Sequence, residues 1–262
     1  VIETRQTPPA KPWYKGRIKV LIVYGRMYGS CFTRAAQGLL KNTWTALLPM
    51  GLMAGFGVLA GMLTGLGIIG SFLIPLVLAA VGSAYLYFVG EIVGRSQVRL
   101  SEFATAAKAY FWSLINLMFV IWIVQLVLGL LLRGSPNAGV IGILFDLACL
   151  VLLNPAPEII YQVGTYGGIA TVQRSVEFLQ QSWIEWFLPM VLVGALYWFG
   201  WQGTWRMSAT VGLGLVGPLL FAVLGGALFH YLMLFRGFLF QELNGSSHRQ
   251  RMFKYRNSTS GQ

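Results

Sequence analysis

Charge is scarce in this sequence, and most of what exists has one sign. Only 10% of the residues are charged, against about 25% in an average soluble domain, while 56% are hydrophobic. A soluble chain of 262 residues can bury a large core, but it still needs polar residues to cover it. That shortage excludes an ordinary soluble globule. Cysteine is nearly missing: Cys31 and Cys149 are far apart, so a disulfide framework is excluded. Histidine is equally sparse, with His230 and His248 alone. No HExxH, paired-His helix or His/Cys cluster exists, which excludes a metal site or a bis-histidine haem of recognisable type. Neither a Walker GxxxxGK[ST] nor a GxSxG is present, and Gly212-x-Gly214-x-x-Gly217 lies inside an apolar run where helix packing accounts for it. No catalytic residue, metal ligand or cofactor is therefore expected.

Long apolar runs and glycine are plentiful. Residues 43–92 hold no charge before Glu91, more than twice the ~20 residues that cross a hydrocarbon core once. A Gly-rich break at 64–71 divides this run into spans near 43–63 and 71–93. A third span is expected near 110–132, ending at the turn Arg133-Gly134-Ser135-Pro136-Asn137. A fourth covers 139–153 and stops at Asn154-Pro155-Ala156-Pro157, where prolines remove backbone donors. A short tryptophan-rich fifth lies near 184–201, and a sixth near 209–235. The reading is an all-α polytopic membrane protein of six transmembrane helices in three hairpins, each preceded by an amphipathic interfacial helix. Its domain, 30–240, lies between a basic extension at 1–29 and a basic tail at 241–262.

The 19 Lys and Arg residues give a formal charge of +11. They sit at the ends of the apolar runs, which points to orientation in a bilayer rather than to nucleic acid. On the six-span reading only Arg133 and Arg206 fall on one side, and the other 17 fall opposite. Basic residues near helix ends resist translocation, so both termini are expected in the cytoplasm of a bacterial cell, with the spans in its inner membrane. The first thirty residues are polar and basic, so the first span itself is expected to act as the insertion signal.

A repeat underlies the spans. Residues 34–52 and 174–192 are identical at six of nineteen ungapped positions, including Leu48-Pro49-Met50 against Leu188-Pro189-Met190. In the second copy Val176, Leu179, Trp183 and Trp186 share one helical face, opposite Arg174, Glu177, Gln181 and Glu185. In the first, Phe32, Ala36, Leu39 and Thr43 do so. A weaker copy begins at Ser101, with Phe103, Ala107 and Tyr110 on its apolar face. Pro49 and Pro189 suit the bend between interfacial and spanning segments.

Function has to show itself in polar residues within the spans. Asp146, half-way along the fourth, is the foremost candidate, because an ionised carboxylate there calls for a partner, a cavity or a proton path. Glu158 is placed nearer the interface and solvated. His230 reads as a hydrogen-bonded packing residue or, alternatively, a proton carrier. Gly51 with Gly55, and Gly57, Gly61 and Gly65, form small-residue rows that let a second helix approach, within this chain or from another subunit. Tryptophans 112, 183, 186, 198, 201 and 205 fit an aromatic belt.

The repeated units, the stretch from Arg174-Ser175 to Trp183 and the Asn154-Pro155-Ala156-Pro157-Glu158 break resemble a group of bacterial six-helix inner-membrane proteins. That resemblance covers about residues 30–240 and implies no catalytic residues. Three functions follow as expectations: a non-catalytic subunit or assembly component of a membrane complex, a small-molecule or lipid transporter, or a membrane-embedded enzyme. Expected partners are membrane lipids and other membrane subunits. The basic tails are expected to meet an acidic partner or anionic headgroups, each cation near such a surface contributing ~1 kcal/mol.

Overall fold

The computed structural model describes residues 14–95, 97–164, 167–211, 216–246, 250–251 and 253–254. Most of the two basic tails, the side chains of Trp201, Trp205 and Arg206, and the surroundings of Gly212 and Gly217 lie outside the described residues. All regular structure described is helical: α1 Tyr14–Lys41, α2 Leu48–Thr64, α3 Ile68–Arg95, α4 Phe103–Ala109, α5 Phe111–Leu131, α6 Ala138–Leu152, α7 Ala156–Glu158, α8 Gly168–Val211 and α9 Val216–Leu243. Short 3-10 turns precede α2 and α4, and α7 runs on into a π-helical turn, Ile159–Val163.

Among the described residues, four segments are long and apolar enough to cross a membrane: Thr43–Thr64, Ile68–Arg95, Leu100–Leu131 and Ala222–Leu243. A fifth is reached if α6 and the α7 turn, bent by 46° at the proline break, count as one. The break explains why. At 1.5 Å per residue the 15 residues of α6 are only about 22 Å long, short of the ~30 Å hydrocarbon core. The stretch expected as the fifth span lies within α8, which stays helical to Val211, through the loop expected around Arg206. At the other end of the chain, α9 runs on past the expected end at residue 235 to Leu243. Arg236 had marked that end in the sequence. Its charge is neutralised inside the fold, so the helix has no reason to stop there.

The repeat is written in the backbone. Helix α1 ends at Asn42 (φ −130°, ψ 52°), and α8 is broken at the aligned Ser182 (φ −143°, ψ 24°). Tyr110 (φ −119°, ψ 10°) separates α4 from α5 in the weaker copy. Side chains satisfy the backbone at these breaks. The Asn42 amide donates to the Gly38 carbonyl (2.9 Å), and Ser83 of α3 both donates to the Ala106 carbonyl and accepts the Tyr110 N–H, each at 2.8 Å. Burial follows the same alignment: Cys31, Ala35, Gly38 and Asn42 are buried on α1, and Thr171, Ser175, Phe178 and Ser182 on α8. Each inward stripe is rotated from the expected face. Phe32 and Ala36 are only half-buried, and beyond the Ser182 break Trp183 points outward while Trp186 is enclosed.

The core lies where α1, α3, α8 and α9 meet. Helix α1 packs along α9, α3 lies against α2, α4 and α5, and α8 touches both α5 and α9. Phe32 stacks on Phe235 at 4.1 Å, and Trp186 meets Phe178 edge-on at 5.2 Å. Small side chains let α1 approach α9 closely. Burial in this seam pushes the Cys31 thiol up to about 12, so it stays protonated at neutral pH and packs as a small apolar residue. Helix α6 stands apart: it buries no residue and only grazes α5 and α8.

Candidate functional site

The polar residues of the apolar helices form two sets with opposite surroundings, one inside the bundle and one on its outer face. The first is built on the proline break. Pro155 and Pro157 lack the N–H groups that would continue the helix, so the chain turns between α6 and α7 and presents the Asn154 carbonyl sideways. Arg236 of α9 fills that position. Its Nη2 donates to the Asn154 carbonyl at 2.6 Å and to Glu158 Oε2 at 2.9 Å, while Nε donates to Glu158 Oε1 at 2.8 Å. The Glu158 side chain is 0% exposed. The guanidinium also lies 5.1 Å from the Trp186 ring centroid, and the Trp186 indole N–H donates to Asn154 Oδ1 at 2.8 Å. A forked cation thus joins the proline break, α8 and α9 through one carboxylate, one carbonyl and one aromatic face.

This reverses the sequence reading of Glu158, which had placed it in solvent near the interface. Distance along the chain from the apolar run suggested exposure. What decides its burial is a cation 78 residues away, and no local pattern announces that.

Around this lock lie three further polar side chains, His230 buried and Tyr85 and Tyr161 half-buried. Tyr161, on the π-helical turn, is packed between Gly90 of α3 and Gly237 of α9, and its hydroxyl has no hydrogen-bond partner among the described residues. His230 is 0% exposed, with Nδ1 3.3 Å from the Tyr85 hydroxyl and Nε2 without a partner among the described residues. Tyr85 and Tyr161 are both near enough to feel the charges of Glu158 and Arg236. A cleft of about 410 Å³, lined by Tyr161, Gln162, Gln241 and Asn244 among others, opens beside Tyr161. Gln162 closes its inner side by donating to the Gly237 carbonyl at 2.9 Å.

The second set is Asp146 and Gln125. Asp146 lies midway along α6 on an exposed face, and its only hydrogen bond among the described residues comes from Gln125 Nε2 at 3.4 Å. Exposed Ile143, Leu144, Leu147 and Leu150 surround it. The structure therefore does not bring Asp146, Glu158 and His230 into one site: two lie inside the bundle, and the foremost sequence candidate lies outside it.

No known protein family, curated protein or solved structure matches this chain. Its chemistry rests on geometry alone. Among the described residues no three His, Cys, Asp or Glu side chains converge as a metal set would. The glycine rows on α2 also face outward. A Cβ added at Gly51, Gly55, Gly57 or Gly61 would meet nothing within 4 Å, and one at Gly65 only its own helix.

A third polar assembly, which the sequence reading missed, ties the two ends of the chain together. Tyr24 donates to Glu185 Oε1 at 2.8 Å, Tyr28 donates to the Glu185 carbonyl at 3.0 Å, and Arg251 reaches the same carboxylate at 3.4 Å. Arg251 also donates to the Ser246 carbonyl at 2.7 Å, capping the turn that follows α9. Burial, reinforced by the neighbouring Glu185 carboxylate, pushes the Tyr24 hydroxyl up to about 12. Lys254 and Arg34 both pair with Glu242, at 2.6 and 3.3 Å. Arg236, Arg251 and Lys254, three of the cations assigned to the tail side, therefore have partners within the chain, leaving Arg249 and Arg256 beyond the described residues.

Proposed function

We propose that the chain is a non-catalytic integral subunit or assembly component of a larger membrane protein complex. It is set in a bacterial inner membrane with six crossings and both termini cytoplasmic. The one observation that carries this reading is Asp146 on the uncovered face of α6. A carboxylate at the centre of a membrane helix costs about 2.5–3.5 kcal/mol on insertion scales, and here a single long hydrogen bond offsets little of that. Helix α6 buries nothing against its own chain, so a neighbouring subunit that covers it would gain apolar packing and satisfy Asp146 together. The outward glycine rows of α2 suit the same role, since contacts between helices in lipid favour small residues. The even number of crossings follows from the charge distribution. Of the six, the fifth is assigned to α8 beyond Trp183, and the fourth to the bent pair.

Extraction in a mild detergent followed by mass measurement tests this. The intact chain is expected to travel well above its own 28.9 kDa, and Asp146→Leu is expected to release it as a folded, monodisperse single chain. Wild-type protein running alone at 28.9 kDa in several mild detergents would sink the reading.

One observation favours a second reading, a small-molecule or lipid transporter. His230 is enclosed beside Tyr85, its Nε2 without a partner among the described residues, an arrangement suited to passing protons. On that reading reconstituted vesicles acidify in response to a gradient, and His230→Phe abolishes the movement. Because the repeated units share one orientation, the fold offers this reading no inverted pair.

A further inference from the structure

A second cleft, of about 360 Å³, opens where α1 ends, α3 ends and α4 begins. Its walls carry Lys41, Arg95 and Arg99 against Glu91 and Glu102, with Trp44 at one side. Asn42 holds the junction rigid: buried beneath the cleft, it accepts the Val98 N–H at 3.1 Å and donates to the Gly38 carbonyl. Trp44 is fixed edge-on to Phe88 at 5.7 Å.

The charges do not cancel. Arg95 pairs with Glu91 at 3.1 Å, and Glu102 accepts the Tyr87 hydroxyl at 3.1 Å. Lys41 and Arg99 have no side-chain partner among the described residues, and both are exposed. Two cations without a side-chain partner among the described residues therefore flank a preformed hollow at the ends of two membrane-long helices, next to an indole. Basic hollows between membrane helices suit phosphate headgroups, and tryptophan is enriched at that depth.

We infer that this cleft binds the headgroup of an anionic phospholipid, with Lys41 and Arg99 holding its phosphate and Trp44 lying against its glycerol region. The site is separate from the basic tails and from the Asp146 face, and stands whether or not the chain belongs to a complex. Bound there, one lipid would join the amphipathic first helix to the α3–α4 corner.

Native mass spectrometry of the full chain in mild detergent, with phosphatidylglycerol or phosphatidylcholine of matched acyl chains, tests this. One phosphatidylglycerol is expected to be retained in preference to phosphatidylcholine, and its retention falls as sodium chloride is raised. Lys41→Gln and Arg99→Gln each weaken retention about fivefold, and the pair together about 25-fold. Lys108→Gln, which removes an exposed cation outside the cleft, leaves retention unchanged. Equal retention of both lipids, insensitivity of the wild type to salt, or equal loss in Lys108→Gln would overturn the inference. So would displacement of the lipid by inorganic phosphate at matched concentration, which would make this a site for the free ion. The salt series on wild-type protein decides the matter even if a variant fails to fold.

Discussion

Arg236→Met is expected to cost about 3–5 kcal/mol, because it leaves the Glu158 carboxyl group enclosed without its cation. It also strips the Asn154 carbonyl of its donor and removes the guanidinium from the Trp186 face. Against a typical margin of about 5–15 kcal/mol for a folded protein, that loss is large. The measurement is the fraction of monodisperse protein left after heating in mild detergent, where the variant should fall far below wild type. The double variant Arg236→Met with Glu158→Leu should recover most of the loss, since buried ion pairs replaced together by apolar side chains are often neutral in stability. If the double variant is as damaged as the single one, the lock between the proline break and α9 is not held by charge.

The second large effect separates two kinds of glycine. A Cβ at Gly237 would lie 2.5 Å from the Tyr161 hydroxyl and 2.7 Å from Val93 Cγ2. Gly237→Ala therefore forces Tyr161 or α3 to move, and overpacking of this kind costs about 1–3 kcal/mol. Gly51→Ala, on the open face of α2, is expected to leave the isolated chain neutral or up to about 1 kcal/mol more stable through helix propensity. Thermal midpoints of the two purified variants in one detergent check the contrast. A destabilised Gly51→Ala with an unaffected Gly237→Ala would mean that α2, rather than the Tyr161 seam, carries the close packing.

The contrast also marks where sequence reading succeeds. Runs of apolar residues set the positions of α2, α3 and α5 to within a few residues, because in these helices hydropathy alone decides where they start and stop. The ungapped match of 34–52 with 174–192 pairs the breaks at Asn42 and Ser182, but the bends were expected at Pro49 and Pro189, which lie within the helices that follow, and the face each helix buries was misjudged. Counting large apolar residues picked Phe32 and Trp183. The actual seams use Cys31, Ala35 and Gly38 in one copy and Thr171 and Ser175 in the other, because close approach of backbones favours small side chains over large ones. Glycines that matter were missed for a related reason. Gly237 belongs to no row and Gly90 pairs only with Gly94, and the ring of Tyr161 between Gly90 and Gly237 shows their use.

Charges were the hardest to read. Glu158 and Arg236 each looked like the end of an apolar run, since each is a lone charge beside hydrophobic sequence. Together they are a neutral, hydrogen-bonded unit within it. Asp146 was picked as a costly charge within an apolar run, but the pattern that singles it out cannot say whether the chain encloses it. It does not, and that exposure turns the residue from a candidate for internal chemistry into a candidate for contact.

The long reach of the Glu158–Arg236 pair also sets an order of events during biosynthesis. At about 5–20 residues per second, the 78 residues between them take about 4–16 s to synthesise. Throughout that interval the Glu158 carboxyl group at the proline break is without its cation. The break can settle into the bundle only once α9 has emerged and delivered Arg236, so a helix made late releases the middle of the protein into place.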